Sequence, residues 1–133
     1  MIKTATDKAI GFAQEMPGGF VFEIGNGWVH RRMHYVGGRL STTSLVNNLS
    51  VEEYLDETNS EFELTISGDG QRVTLSSKDF TLKDYRTHEW SDDLRTLEIR
   101  LETELNEQPL VVSVFYRAGA GDDFISKWVQ VHP

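Results

Sequence analysis

The sequence predicts an all-β fold, an antiparallel β-sandwich of about nine short strands with at most one short helical turn. Leucine and isoleucine alternate with charged residues over 96–105, so that strand has one apolar and one polar face. Gly37 and Gly38 separate two β-rich runs, which is typical of a hairpin because primed turns need positive φ at both central positions. Turn residues recur at short intervals, which favours a sandwich of two sheets.

The elements follow from local patterns along the chain. Residues 1–19 are interpreted as an N-terminal arm or edge strand, and residues 20–133 as the sandwich domain. A capping-box pattern from Ser50 to Glu53 predicts one helical turn. The polar and aromatic stretch 84–93 is predicted to be a loop. Strands are expected at 20–24, 28–36, 39–46, 60–67, 72–75, 79–82, 96–105, 110–116 and 124–132.

Composition limits the classes of function. The 133 residues suffice for one domain with a hydrophobic core, and the lack of cysteine excludes disulfides, thiolate metal sites and cysteine nucleophiles. The net charge of −8 argues against nucleic acid and against anionic membrane surfaces as partners. Arg31 and Arg32 form no basic patch, because adjacent residues of a strand point to opposite faces.

The start of the chain bears on localisation. Residues 1–8 contain one acid and two lysines where a signal peptide needs an apolar core. We therefore expect a cytoplasmic protein if this start is native, the alternative being that a signal has been removed.

The candidate chemical groups favour no catalytic residue, no metal site and no cofactor. Acids cluster at 56–63, 92–93 and 122–123, but nothing distinguishes a desolvated acid from a paired one, as hydrolysis of a glycosidic bond requires. The two aspartate pairs lack the ligand spacing of a calcium loop. His30 and His34 lie on one face of a strand roughly 13 Å apart, too far to share an ion.

Tryptophans suggest a binding role. Trp90 lies with Tyr85 and Asp92 in the stretch 84–93, and aromatic rings beside carboxylates are typical of carbohydrate sites. These three residues are therefore the candidate carbohydrate-binding residues. The alternative is that Tyr85 and Trp90 plug one end of the sandwich. Trp28 and Trp128 are expected in the core or at inter-domain contacts.

Five segments together resemble the N-terminal β-supersandwich domain of melibiase-type α-galactosidases, glycoside hydrolase family 36 and its relatives. The segments are NGWVHRRM at 26–33, LSTTSLVN at 40–47, SEFEL at 60–64, VFYR at 114–117 and GDDFISKWV at 121–129. The last of them lacks two prolines of the family pattern and has Ser-Lys where Arg-Lys is usual. The resemblance implies a supersandwich packed beside a catalytic barrel that carries the catalytic aspartates.

The resemblance implies a non-catalytic accessory domain of an α-galactosidase-like or α-N-acetylgalactosaminidase-like glycosidase. Such a domain buttresses the barrel, shapes substrate access or supports association of subunits. Expected partners are therefore the catalytic barrel of the parent glycosidase, a galactoside-type carbohydrate and further copies of the chain. Two alternatives stay open: a free-standing carbohydrate-binding module, and a protein-interaction or assembly domain.

Overall fold

The computed structural model describes residues 9–47, 52–53, 61–68, 70–91, 93–122 and 124–132. It confirms the predicted fold class, because these residues form antiparallel sheets with one short 3₁₀ turn at Ser77–Asp79. The strands are β1 (Ile10–Met16), β2 (Gly19–Gly25), β3 (Val29–Val36), β4 (Arg39–Asn47), β5 (Glu52–Glu53), β6 (Glu63–Gly68), β7 (Gln71–Ser76), β8 (Thr81–Ser91), β9 (Leu94–Leu105), β10 (Gln108–Gly119) and β11 (Ile125–His132).

Two large sheets form the sandwich. Sheet I has the order β1-β2-β3-β4-β5, sheet II has the order β11-β10-β9-β8, and β6 and β7 form a separate hairpin. The sheets pack through β2 against β9 and β10, through β1 against β8 and β9, and through β3 against β11. No helix in the described part of the chain has the length and apolar character needed to cross a bilayer.

The core lies between the two large sheets, as the alternating pattern predicts. Leu97, Ile99 and Leu101 of β9 are fully buried on one face, while the intervening charged residues lie on the other. Sheet I contributes Phe22, Ile24, Met33 and Leu40, and sheet II adds Val112, Val114, Tyr116 and Ala118, with Phe62 and Phe80 from the segment that carries the hairpin.

Two of the tight turns that close hairpins in the large sheets differ in composition. Gly37 and Gly38 have φ of 63° and 76° and join β3 to β4, which confirms the predicted hairpin. Asn106 and Glu107 adopt the same left-handed region, at φ 52° and 65°, and join β9 to β10 without any glycine. Asparagine adopts this region readily, and the long register of β9 with β10 supports the turn from both sides.

The predicted helical turn at 50–53 is wrong where the structure describes it. Glu52 and Glu53 form β5 and pair with Asn47 and Val46, while positions 50 and 51 lie outside the described residues. The capping box occurs instead at Ser76 and Asp79, where it begins the 3₁₀ turn. The four-residue pattern is short enough to arise in an extended segment as well.

The loop predicted for 84–93 is also wrong, because β8 runs through residue 91. Its polar side chains alternate and oppose charges on β9, with Asp84 opposite Arg100 and Arg86 opposite Glu98. A strand with a polar outer face and few aliphatic residues has the composition of a loop, and only the neighbouring strand supplies the complementary charges.

Candidate functional site

A buried carboxylate is the centre of the most connected polar cluster. Glu61 precedes β6 and is almost inaccessible to solvent. Its Oε1 accepts hydrogen bonds from the Tyr116 hydroxyl at 2.6 Å and the Thr42 hydroxyl at 2.7 Å. Arg31 Nη2 lies 3.2 Å from both carboxylate oxygens, and Lys127 Nζ lies 3.8 Å from Oε2. We call these five residues the Glu61 network.

The electrostatics of the network stabilise one protonation state. Burial alone raises the pKa of Glu61, but the charges of Arg31 and Lys127 and the two hydroxyl donors outweigh it, so the pKa lies below its usual 4.5. Burial, with the adjacent Glu61 charge, raises the pKa of Tyr116 well above 10. Burial also lowers the pKa of Lys127, despite the opposing effect of Glu61. Glu61 is therefore ionised and Tyr116 protonated at neutral pH.

This arrangement does not suit acid–base chemistry. A general acid needs a carboxyl whose pKa is raised towards the working pH, and the pKa of Glu61 moves the other way. The network instead joins the segment at 61–80 to both large sheets. Glu61 N also donates to Ser77 Oγ at 2.8 Å, and Ser77 N donates to the Phe62 carbonyl at 3.0 Å.

A second polar link joins the loops at one end of the sandwich. The Asn26 amide donates to the carbonyls of Gly119 at 2.6 Å and Asp122 at 2.9 Å. Its Oδ1 accepts from the backbone N–H groups of Trp28 and Val29. One buried asparagine thus fixes the β2–β3 turn against the β10–β11 loop, since both ends of its amide are satisfied.

The outward side of sheet II is the more accessible candidate surface, and we call it the outer face. Its residues are Asp84, Arg86 and His88 of β8, Thr96, Glu98 and Arg100 of β9, Ser113, Phe115 and Arg117 of β10, and Ser126, Trp128, Gln130 and His132 of β11. The cross-strand register places Arg86, Glu98, Phe115 and Trp128 in one row across the four strands. The face therefore combines charges with an aromatic pair.

Trp128 is the most prominent apolar group of the outer face. Its ring is parallel to that of Phe115 with 5.0 Å between centroids, and the Arg117 guanidinium lies 5.0 Å from its centroid. Trp128 remains 37% exposed. A partly exposed indole supported by an aromatic ring and an arginine suits recognition by contact.

Ser113, Glu98 and His132 lie together on the outer face but do not form a catalytic triad. The Ser113 hydroxyl donates to Glu98 Oε2 at 2.9 Å, so His132 Nε2, also 2.9 Å away, must donate to that hydroxyl rather than accept its proton. Ser113 is also fully buried. Its oxygen therefore lacks both the base and the access that a nucleophile needs.

Charged residues surround Glu98 on the same face. His88 Nε2 lies 3.5 Å from Glu98 Oε1, and Arg100 lies 4.0 Å from Oε2 and 3.4 Å from Asp84. Asp84 Oδ1 and Arg100 Nε are buried and lack a hydrogen-bond partner among the described atoms.

The predicted carbohydrate-binding residues are only partly described. Tyr85 faces the interior and contacts Phe20 and Phe22 edge-on, at 5.5 and 5.3 Å between centroids, while remaining 36% exposed. The backbone of Trp90 lies in β8 where the register shifts, and Asp92 lies outside the described residues. The assignment of carbohydrate binding to Tyr85, Trp90 and Asp92 stays a prediction.

Trp28 and Trp128 do not lie in the core, since each is 37% exposed, and the other expectation for them, an inter-domain contact, stays a prediction. Sequence reasoning also missed the outer-face set. The signal is the two-residue period of a strand, because it turns Phe115 and Trp128 to the side opposite the buried Val114 and the partly buried Val129.

His30 and His34 lie on one face of β3, and Arg31 and Arg32 lie on opposite faces, as the strand spacing predicts. His30 pairs with Glu23 and His34 with Thr43, so the two rings have separate partners on the outward side of sheet I. Arg31 faces Glu61 while Arg32 approaches Glu23, on opposite sides of the strand. Within the described ranges, no group of three or more acids and histidines could hold a metal ion.

The structure thus defines an all-β sandwich with a buried polar network and a mixed aromatic and charged outer face. Comparisons with protein-family models, with curated proteins and with solved structures find no match to this chain.

Proposed function

We propose that the chain is a non-catalytic accessory domain of an α-galactosidase-like or α-N-acetylgalactosaminidase-like glycosidase, acting by contact beside a catalytic barrel. The observation that carries the proposal is the convergence of its motif segments. Each of the five segments that resemble the family's N-terminal domain supplies one side chain to the Glu61 network. These are Arg31 from 26–33, Thr42 from 40–47, Glu61 from 60–64, Tyr116 from 114–117 and Lys127 from 121–129.

This convergence supports a structural meaning for the resemblance. The segments are up to about a hundred residues apart, yet their matching polar residues meet around one carboxylate. Removing one member of a buried ion cluster leaves a charge unpaired, which lowers the stability of the fold. The residue types at these five positions therefore depend on one another. The five segments then serve to specify the sandwich fold. Catalysis belongs to another domain of the glycosidase.

The proposal is tested by combining an activity assay with the coding frame. The pure chain is expected to leave aryl α-galactosides and aryl α-N-acetylgalactosaminides intact. The reading frame beyond Pro133 is expected to continue into further strands and a barrel of alternating strands and helices. Turnover that persists in protein purified by two independent routes contradicts the proposal. A stop codon after Pro133, with no glycosidase encoded beside it, also contradicts it.

A second candidate function is carbohydrate binding on the outer face. It is favoured by Trp128, which is partly exposed and lies next to the charged and amide groups of Arg117 and Gln130. An indole that stacks on a pyranose, beside groups that bond its hydroxyls, is a common arrangement in sugar sites.

Calorimetric titration with galactose, N-acetylgalactosamine and methyl α-galactoside tests this candidate. Trp128→Ala is expected to abolish the binding heat. Trp28→Ala is the matched control, because Trp28 has the same 37% exposure and lies between β2 and β3 of sheet I rather than in sheet II; it is expected to retain binding. Absence of heat at millimolar sugar, or equal affinity in the two variants, counts against carbohydrate binding on this face.

A further inference from the structure

Strand β11 forms an outer edge of sheet II. Among the residues that the structure describes, β11 pairs with β10 alone. An edge strand presents unpaired N–H and C=O groups, and proteins usually protect such edges with charges, bulges, short length or a covering element.

The other three edges of the two large sheets carry such protection. Strand β8 has two register shifts and charged side chains along its length. Strand β5 has only two residues, both glutamate. Strand β1 carries an exposed carboxylate at Glu15. These features are those that discourage pairing with another chain.

Strand β11 has none of these protections. Its eight residues keep an unbroken register with β10. Lys127 is the only Lys, Arg, Asp or Glu within it, and that ammonium is turned inward towards Glu61. Large apolar side chains along the strand and just before it stay exposed, with Phe124 at 57%, Val131 at 46% and Trp128 at 37%.

We propose that β11 pairs antiparallel with β11 of a second copy of this chain, about a two-fold axis at Trp128, so that two copies share one eight-stranded sheet. The proposal goes beyond the proposed function, and it requires that any strands following Pro133 pair elsewhere than with β11. A two-fold axis perpendicular to the sheet keeps the core-facing sides of both copies on the same side. Each residue then lies opposite a residue whose side chain is on the same side of the sheet, as antiparallel pairing requires.

The register centred on Trp128 is self-complementary. It places Ile125 opposite Val131 and Ser126 opposite Gln130, so like residues meet in these two pairs, while Lys127, whose ammonium points towards Glu61, lies opposite Val129. The row of Arg86, Glu98, Phe115 and Trp128 continues directly into the same row of the second copy. Two tryptophans meet at its centre, and cross-strand aromatic pairs stabilise sheets.

Charge determines which edge a second copy can use. Each chain has a net charge of −8, so two copies repel each other at long range. The association must therefore occur where both surfaces are uncharged, and β11 offers such an edge. Because added salt screens the repulsion, dimerisation is expected to strengthen as the salt concentration rises.

The first test uses the lack of cysteine in the chain. Directly opposite residues of antiparallel strands have Cα atoms about 4.5–5.5 Å apart, a separation that a disulfide spans. Trp128→Cys is therefore expected to form a covalent dimer on mild oxidation, at protein concentrations where the control Trp28→Cys stays monomeric. Far-ultraviolet circular dichroism verifies that both variants remain folded.

The second test introduces charges at position 128, where the two copies meet. Trp128→Glu and Trp128→Lys are each expected to be monomeric in light scattering, because like charges meet at the axis. An equimolar mixture of the two variants is expected to recover the dimer. A wild-type chain that remains monomeric at millimolar concentration in high salt overturns the proposal. A dimer that persists in Trp128→Glu alone, or equal crosslinking of Trp128→Cys and Trp28→Cys, also overturns it.

Discussion

At the scale of single residues, Glu61 determines how the polar interior should be understood. A carboxylate buried with two cations and two hydroxyl donors resembles an active site in composition. Its pKa is nevertheless lowered, and the residues that donate its shortest hydrogen bonds, Tyr116 and Thr42, are themselves buried. The carboxylate of Glu61 is therefore a fixed charge that holds the segment at 61–80 against sheet I and sheet II.

Replacing this charge gives the first stability prediction. Glu61→Gln leaves Arg31 and Lys127 without their anion in a buried site, which typically costs about 3–5 kcal/mol of unfolding free energy. Urea unfolding at neutral pH measures the loss. Glu63→Gln, an exposed carboxylate two residues further on, is the control and is expected to change stability by less than about 0.5 kcal/mol.

The same pair of variants has a defined pH dependence. Because the folded pKa of Glu61 lies below its usual 4.5, the stability it contributes is fully present above that value and is lost as the pH falls through the folded pKa. The gap between wild type and Glu61→Gln should therefore be wide at neutral pH and narrow in acid. A gap that is constant from neutral pH into acid would contradict the role assigned to the charge.

Sequence reasoning reached some of these residue-level facts. The opposite directions of Arg31 and Arg32 follow from strand periodicity, and the structure confirms them. The Glu61 network could not be predicted in this way. Its contacts join residues far apart in sequence, with Lys127 lying 66 positions from Glu61, and no local pattern reports such a separation.

At the scale of elements, prediction succeeded where a strand has one apolar face. The alternation in β9 and the glycine pair before β4 both gave correct strands and the correct turn. It failed for β8, whose outward charges are matched only by Arg100 and Glu98 of β9. Because that match is a tertiary contact, the isolated segment has the composition of a loop.

The hairpin of β6 and β7 differs from the other elements in its support. It forms its own two-stranded sheet, and such a sheet is marginally stable alone. It is linked to the large sheets by the Glu61 network at its base and by Leu64 and Leu75, which pack against the core. The Ser77 hydrogen bonds and the edge-on contact of Phe62 with Phe80 at 5.2 Å close the base of the hairpin itself. The polar network therefore connects the least supported element to the most buried strands.

At the scale of the whole molecule, this connection predicts two levels of stability. Strands β9 and β10 are central in sheet II and carry most of its buried side chains, so their amides should exchange with solvent only through global unfolding. Amides of β6 and β7 should exchange through a local opening of lower free energy, because few of their side chains are buried.

Native-state hydrogen exchange measured across low urea concentrations distinguishes these levels. In the wild-type chain, β6 and β7 amides should exchange faster than those of β9 and β10, with a weaker urea dependence because less surface is exposed on opening. Glu61→Gln should remove most of the remaining protection of the hairpin, since it breaks the link at its base, while Glu63→Gln should leave the ranking unchanged. If hairpin amides and β9 amides exchange with the same free energy and the same urea dependence, the molecule unfolds as one cooperative unit. The network would then stabilise the sandwich as a whole rather than fasten the hairpin to it.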